Sequence, residues 1–191
     1  MKDMGTLIIR LFLITAVAGL VLSLVNNATA PVIAEQQAKK LAESLIVAYP
    51  EAESFEPLSA EETAAAIGDN PNVKEIYKAL VGGQEAGYVF SSIGKQGFGG
   101  DISFIVGISK EGAITGWQVL NHSETPGYGQ QIEQPFFAEG ITGNQIAEDL
   151  VAVETPSADN DIQAISGSTI TTKSVLGGLN GTLAIARELI K

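Results

Sequence analysis

Cysteine is absent from the 191 residues, and histidine occurs once, at position 122. Disulfides, iron–sulfur clusters, thiolate zinc sites and multi-histidine metal sites are thereby excluded. Redox chemistry in such a chain has to come from an organic cofactor. Basic residues are scarce as well: 11 Lys and Arg stand against 22 Asp and Glu, a formal net charge of −11. A nucleic-acid face needs cations to replace the counterions around phosphate, so this balance points to proteins or a small ligand as partners and not to nucleic acid. The chain also lacks a G-x-S-x-G elbow, a cysteine nucleophile and a dinucleotide fingerprint, and no set of residues for self-sufficient catalysis is read from it.

What is present begins with an apolar run. Residues 7–25 carry a single charge, Arg10. As a helix they span about 28 Å, close to the thickness of a bilayer's hydrocarbon core. A cleaved signal peptide is the competing reading, since Ala28-Thr29-Ala30 resembles a cleavage site. The length of the run and Pro31 just after that site favour a retained anchor. Lys2 and Arg10 on its N-terminal side predict a cytoplasmic N-terminus, residues 1–6, with the remainder outside. Residues 26–50 form a connector in which Ala38, Leu41, Ala42, Leu45 and Ile46 share one helical face.

Residues 51–191 form the single globular domain. Its first part, residues 50–71, is acidic and rich in Ala, Glu and Pro, which predicts mostly loop with a short helix near residues 61–67. Four strand-like runs follow at 73–81, 85–93, 102–109 and 113–120. Gly82-Gly83 and Lys110-Glu111-Gly112 separate them into two antiparallel hairpins, joined by a flexible Gly-rich loop at 94–100. From residue 170 onward Val175, Leu176, Leu179, Leu183, Ala186 and Ile190 recur at helical spacing, interrupted by Gly177, Gly178 and Gly181. The order predicts an α+β fold, a twisted antiparallel sheet with packed helices behind one N-terminal transmembrane helix.

Two segments could carry chemistry. Ser166-Gly167-Ser168-Thr169-Ile170-Thr171-Thr172-Lys173 opens the last helix. Its hydroxyls suit ordinary N-capping. Its free N–H groups, helix dipole and Lys173 equally suit a phosphate, with Gly167 allowing close backbone approach. The second segment, His122-Ser123-Glu124-Thr125-Pro126-Gly127-Tyr128-Gly129, turns sharply at Pro126-Gly127. It reads either as a plain loop or as a place where a planar cofactor meets backbone.

The Ser-Gly-Ser-Thr stretch resembles the flavinylation motif, Asp-x-x-(Ser/Thr)-Gly-Ala-Thr, of the G-type subunit of Rnf electron-transport complexes and of the C-type subunit of the sodium-pumping NADH:quinone oxidoreductase. The His-x-Glu-Thr-Pro-Gly-x-Gly loop and the Asn-x-x-Thr-Ala-Pro end of the anchor are similar too, so the resemblance covers nearly the whole chain. Gln163 stands where the motif has Asp, and Ser168 where it has Ala. The resemblance implies FMN held as a phosphoester on Thr169, attached by a separate magnesium-dependent flavin transferase that uses FAD. No metal site on this chain is implied. It further implies Ser166, Gly167, Ser168, Thr171, Thr172 and Lys173 around the phosphate and ribityl chain. The loop with Glu124, Thr125, Pro126, Gly127 and Gly129 would lie near the ring. The implied function is electron transfer within an ion-translocating ferredoxin:NAD⁺ oxidoreductase of the cell membrane, alongside its other subunits. A stand-alone FMN carrier anchored in the membrane and a flavin-free tethered assembly module are the alternatives.

Overall fold

A computed structural model describes residues 2–191, with side chains from residue 4 onward. Helix α1, Lys2–Ala48, takes in both the apolar run and the connector, and Pro31 lies inside it. A proline removes one backbone hydrogen bond and crowds the preceding turn; here the helix continues past it. Among the described residues this is the one helix long and apolar enough to cross a membrane. The face expected of the connector is only partly covered. Ser44, Leu45 and Ala48 are buried and Leu41 is half-buried, whereas Ala38, Ala42 and Ile46 are exposed.

Residues 42–191 form a separate compact unit. A five-stranded antiparallel meander runs β1 (Ser54–Pro57), β2 (Val73–Val81), β3 (Gln84–Gly94), β4 (Ile102–Ser109) and β5 (Ile114–Asn121), in that spatial order. Both expected hairpins are present. At the first, Gly82 and Gly83 both have positive φ, the conformation that a two-residue hairpin turn requires. Strand β1 corrects the expectation of loop for this stretch. Only Phe55 of its four residues is even half-buried, so it lacks the alternation that marks a strand, and its pairing with the edge of β2 makes it one.

Helix α2, Ala60–Ile67, lies where a short helix was expected. A reciprocal capping box fixes its start: the Glu62 N–H donates to the Ser59 hydroxyl, and the Ser59 N–H to the Glu62 carboxylate. Replacing Ser59 by Ala is expected to cost about 1 kcal/mol, measured as a shift in the urea midpoint. A change below about 0.3 kcal/mol would show that the cap is redundant.

One face of the sheet carries the main core. Phe90, Phe104, Val106, Ile108, Trp117 and Val119 point toward α4 (Thr169–Leu189) with Val175, Leu179 and Leu183, and toward the short helix α3 (Pro135–Ile141) through Phe137. Trp117 bridges Phe104 and Phe137 at ring separations of 6.0 and 5.5 Å. Gly178 and Gly94 let α4 come close to β3. A Cβ at Gly178 would meet the Ile93 carbonyl oxygen at 2.5 Å, and one at Gly94 the Ser174 carbonyl oxygen at the same distance. These glycines trade helix and strand propensity for approach.

The opposite face buries Ala79, Val89 and Ile105, which lie outside that cluster together with Leu45, Ala48 and Tyr49. Gly107 and Gly116 pair across β4 and β5, and a Cβ on either would collide with carbonyl oxygens at the end of α1. Thr115 donates its hydroxyl to the Ala48 carbonyl at 2.6 Å, and Tyr49 donates to that of Ala86 at 3.0 Å. The connector's last turn thus belongs to the sheet's second face.

The region between β5 and α4 carried no predicted elements. It contains a 3₁₀ turn at Gly129–Glu133, α3, and a two-stranded parallel sheet of β6 (Val151–Val153) and β7 (Asp161–Gln163). These strands are three residues long, too short for periodicity to show. Asn180 of α4 ties them down, exchanging hydrogen bonds of 2.9 Å with both the N–H and the carbonyl of Leu150.

Candidate functional site

The exit from β5 is set by side chains bonding their own backbone. The Glu124 N–H donates to Nδ1 of His122 at 3.0 Å, while Nε2 of His122 lies 3.1 Å from the Glu133 carboxylate. The Tyr128 N–H then closes a turn onto the Thr125 carbonyl at 3.1 Å, with Pro126 and Gly127 between them. Gly127 has φ +79, the conformation such a turn demands of its third residue.

This bend drives Glu124 inward, and its side chain is 6% exposed. Both carboxylate oxygens accept: Oε2 from the Thr171 hydroxyl at 2.6 Å, and Oε1 from the Gly99 N–H at 2.9 Å. Glycines crowd around it. A Cβ at Gly129 would fall on Oε2, one at Gly97 would lie 2.6 Å from Oε1, and one at Gly99 would overlap the Ser123 carbonyl. The Gly-rich stretch expected to be a flexible loop is packed onto Ser123 and Glu124 instead, because only glycines let the backbone come so near.

On the other side, β7 leads into the hydroxyl-rich segment. The Ala164 N–H donates to Val153, Gly167 takes φ +74, and the chain enters α4. Ser168 stands at the N-cap, yet its side chain caps none of the first-turn N–H groups. The capping explanation of this segment is therefore not realised. The other hydroxyls divide into two groups. Thr171 is bound to Glu124, and Thr172 donates to the Ser168 carbonyl at 3.1 Å while accepting from the Ile165 N–H at 3.2 Å. Thr169 is exposed at the first helical position.

Between the two segments lies an open cavity of about 540 Å³. Glu124, Thr125, Gly129, Gly167, Ser168, Thr169 and Thr171 line it. Ser166, Thr172, Lys173, Pro126 and Gly127 are not among its lining. Thr172 is turned into the core, and the other four are solvent-exposed beside it. Three lining residues were absent from the expected set: Phe98, Tyr128 and Ile170, which are 70, 59 and 54% exposed. Each had a signal. Phe98 is a lone aromatic among glycines, Tyr128 sits inside the turn motif, and Ile170 falls off the apolar face formed by Val175, Leu179 and Leu183. Exposed apolar side chains grouped around a concavity mark a binding surface. Above an uncapped helix start they fit a ligand with a flat apolar part and an anionic tail.

Gln163 and Asp161 do not enter the cavity. Gln163 is exposed at the end of β7. The Asp161 carboxylate closes the preceding loop, accepting from the Ser157 and Ala158 N–H groups at 2.9 and 3.0 Å. These backbone bonds hold its pKa below the ordinary value, with the Ser157 hydroxyl adding to the effect. A depressed carboxylate contributes stability above its unfolded pKa and loses that contribution as pH falls through the folded value. The Ser157 and Ala158 amide resonances are accordingly expected to titrate with a midpoint below about 3.9, and Asp161→Asn to abolish the titration. A midpoint at or above that value would contradict the loop geometry.

Comparison with known proteins identifies the family and the fold. Residues 97–184 match the model of the FMN-binding domain family, a span that contains residues 97–100 of the Gly-rich loop, the turn motif and most of α4. The chain is 35% identical over 188 residues to the G-type subunit of the Na⁺-translocating ferredoxin:NAD⁺ oxidoreductase complex of Acetobacterium woodii, covering 95% of this chain and 90% of that one. It is 32% identical to the G-type subunit of the ion-translocating oxidoreductase complex of Methanosarcina acetivorans, with 95% and 94% covered. Among solved structures, NqrC of Shewanella oneidensis superposes with a TM-score of 0.54 at 19% identity, over 70% of this chain and 80% of that one. The C-type subunit of the Na⁺-translocating NADH-quinone reductase of Parabacteroides distasonis gives 0.54 at 18%, over 80% and 94%. At these identities the structural likeness is one of fold.

Proposed function

Since the chain belongs to the family of G-type subunits of ion-translocating oxidoreductase complexes, the Rnf type, we propose that it carries FMN as a phosphoester on Thr169 and relays electrons within such a complex. The observation that carries this reading is the division of hydroxyls at the start of α4. Those of Thr171 and Thr172 are engaged in buried hydrogen bonds, Ser168 is 6% exposed, and Thr169 opens onto the cavity. The uncapped first turn beside it offers N–H groups and a positive dipole end to the phosphate. Phe98, Tyr128 and Ile170 offer apolar surface to the ring.

FMN, when attached, supplies one- and two-electron transfer; the protein supplies position and local charge. A threonine hydroxyl is a weak nucleophile, and forming the ester needs a base and a metal to stabilise charge on phosphate. Among the described residues no cluster of His, Asp and Glu suited to a metal occurs. On this reading the chain is the substrate of a separate FAD-dependent flavin transferase, as the likeness of its Ser-Gly-Ser-Thr stretch to the flavinylation motif implies. The exposed, apolar N-terminal part of α1 supports a membrane anchor, and Lys2 and Arg10 support a cytoplasmic N-terminus with the flavin domain on the other side. The other subunits of the complex would be its partners in the membrane.

The deciding experiment is production of the full chain together with a flavin transferase, followed by ultraviolet imaging of the denatured band and intact-mass analysis. Transfer from FAD to the Thr169 hydroxyl releases AMP, so a fluorescent band with the mass of the protein plus FMN less one water is expected. The bare polypeptide mass alone would refute the covalent reading.

A further inference from the structure

Glu124 is the only charged side chain buried among the described residues. It makes no ion pair among them; its only side-chain partners are the Thr171 hydroxyl and the Gly99 N–H. Burying a carboxylate without a cation is costly, and two hydrogen bonds offset only part of that cost. An amide or an apolar side chain would serve packing more cheaply, so packing alone does not account for a carboxylate here.

Its placement suggests what it does. One carboxylate oxygen holds the Gly-rich loop that carries Phe98, and the other holds the first turn of α4, two residues from Thr169. Its own N–H is held in turn by His122, which is pinned by Glu133. Gly97 and Gly129 leave the space its carboxylate fills, and Gly99 admits the Ser123 carbonyl beside it. Three segments far apart in sequence therefore meet at one carboxylate that lines the cavity.

The geometry points to Glu124 as the positioning residue of this site: it latches the Gly-rich loop to the start of α4 and sets its carboxylate beside the space for the flavin ring. The inference rests on the flavin reading above for the charge, and on the protein alone for the latch. A negative charge next to a group that takes up electrons opposes their uptake and lowers its potential.

The test compares Glu124→Gln with Glu124→Ala in the full chain in detergent. Glutamine retains an acceptor for the Gly99 N–H, and its amide can donate to the Thr171 oxygen in a reversed hydrogen bond, so the charge is removed while both links of the latch are kept. In flavin-free protein, hydrogen exchange of residues 97–100 and 169–172 should quicken by about tenfold or more in Glu124→Ala and stay near the parent rate in Glu124→Gln. In flavinylated protein, Glu124→Gln should raise the flavin midpoint potential, and Glu124→Ala should load less flavin. Unchanged exchange in Glu124→Ala would overturn the latch, and an unchanged potential in Glu124→Gln would overturn the charge. If the parent itself took up no covalent flavin, the flavin reading would fail, and the exchange experiment would still decide the latch.

Discussion

Thr169→Val is expected to give a folded protein with no covalent flavin: fluorescence of the denatured band falls to background while the unfolding free energy from urea titration stays within about 0.5 kcal/mol of the parent. The hydroxyl is the whole difference. Threonine and valine have similar shape and similar helix propensity, and Thr169 is exposed at the first position of α4, so packing has little to lose. Its neighbours are poor substitutes. Thr171 would have to break a 2.6 Å bond to a buried carboxylate, and Thr172 would have to leave two backbone partners. Ser168 lines the same cavity but is 6% exposed. Covalent flavin persisting in the variant, mapped by peptide mass to Ser168, would move the attachment by one residue. A loss of folding along with the flavin would assign Thr169 a structural role that its exposure does not suggest.

Gly107→Val is expected to destabilise the globular unit by about 3 kcal/mol, the largest stability effect foreseen here. The added Cβ would collide with the Ala48 carbonyl and the Thr115 hydroxyl, both held at the sheet's second face. Neither is the free end of a flexible side chain, so the residue 44–49 segment has to lift. Lifting it breaks the Thr115 and Tyr49 hydrogen bonds and exposes Leu45, Ala48 and Tyr49, all now buried. Hydrogen exchange should localise the damage to residues 44–49 and to the facing residues of β3 and β4. A loss under about 0.5 kcal/mol would mean that this turn of α1 contributes little to the domain.

The two cases differ in how far the amino-acid order foretold them. Thr169 could be singled out as a candidate because a hydroxyl-rich helix start is a local pattern that resembles a known motif. The role of Gly107 was not, since a glycine inside a strand says only that something comes close. The hairpin at Gly82-Gly83 and the helix built on Val175, Leu179 and Leu183 were readable for the same local reason. Strand β1, the short pair β6 and β7, and α3 were not, being held by edge pairing, Asn180 and Phe137 and not by any periodicity of their own.

Within the site the division is similar. The turn at Pro126-Gly127 and the hydroxyls after Ser166 could be picked out directly, but which hydroxyl is free could not. That depends on Glu124 reaching Thr171 across 47 positions. Phe98 joins the cavity because Gly97 and Gly99 allow its loop to pack on Ser123 and Glu124.

By itself the order of residues determined an apolar helix, a sheet of hairpins, a closing amphipathic helix and two candidate segments, since spacing and turn chemistry act over a few neighbours. Only the tertiary structure decided that those segments share one cavity around a buried carboxylate, and that the end of α1 seals the far face of the sheet. Close approach between distant parts of a backbone is a property of packing, and a glycine's missing side chain shows where it is permitted without showing what arrives.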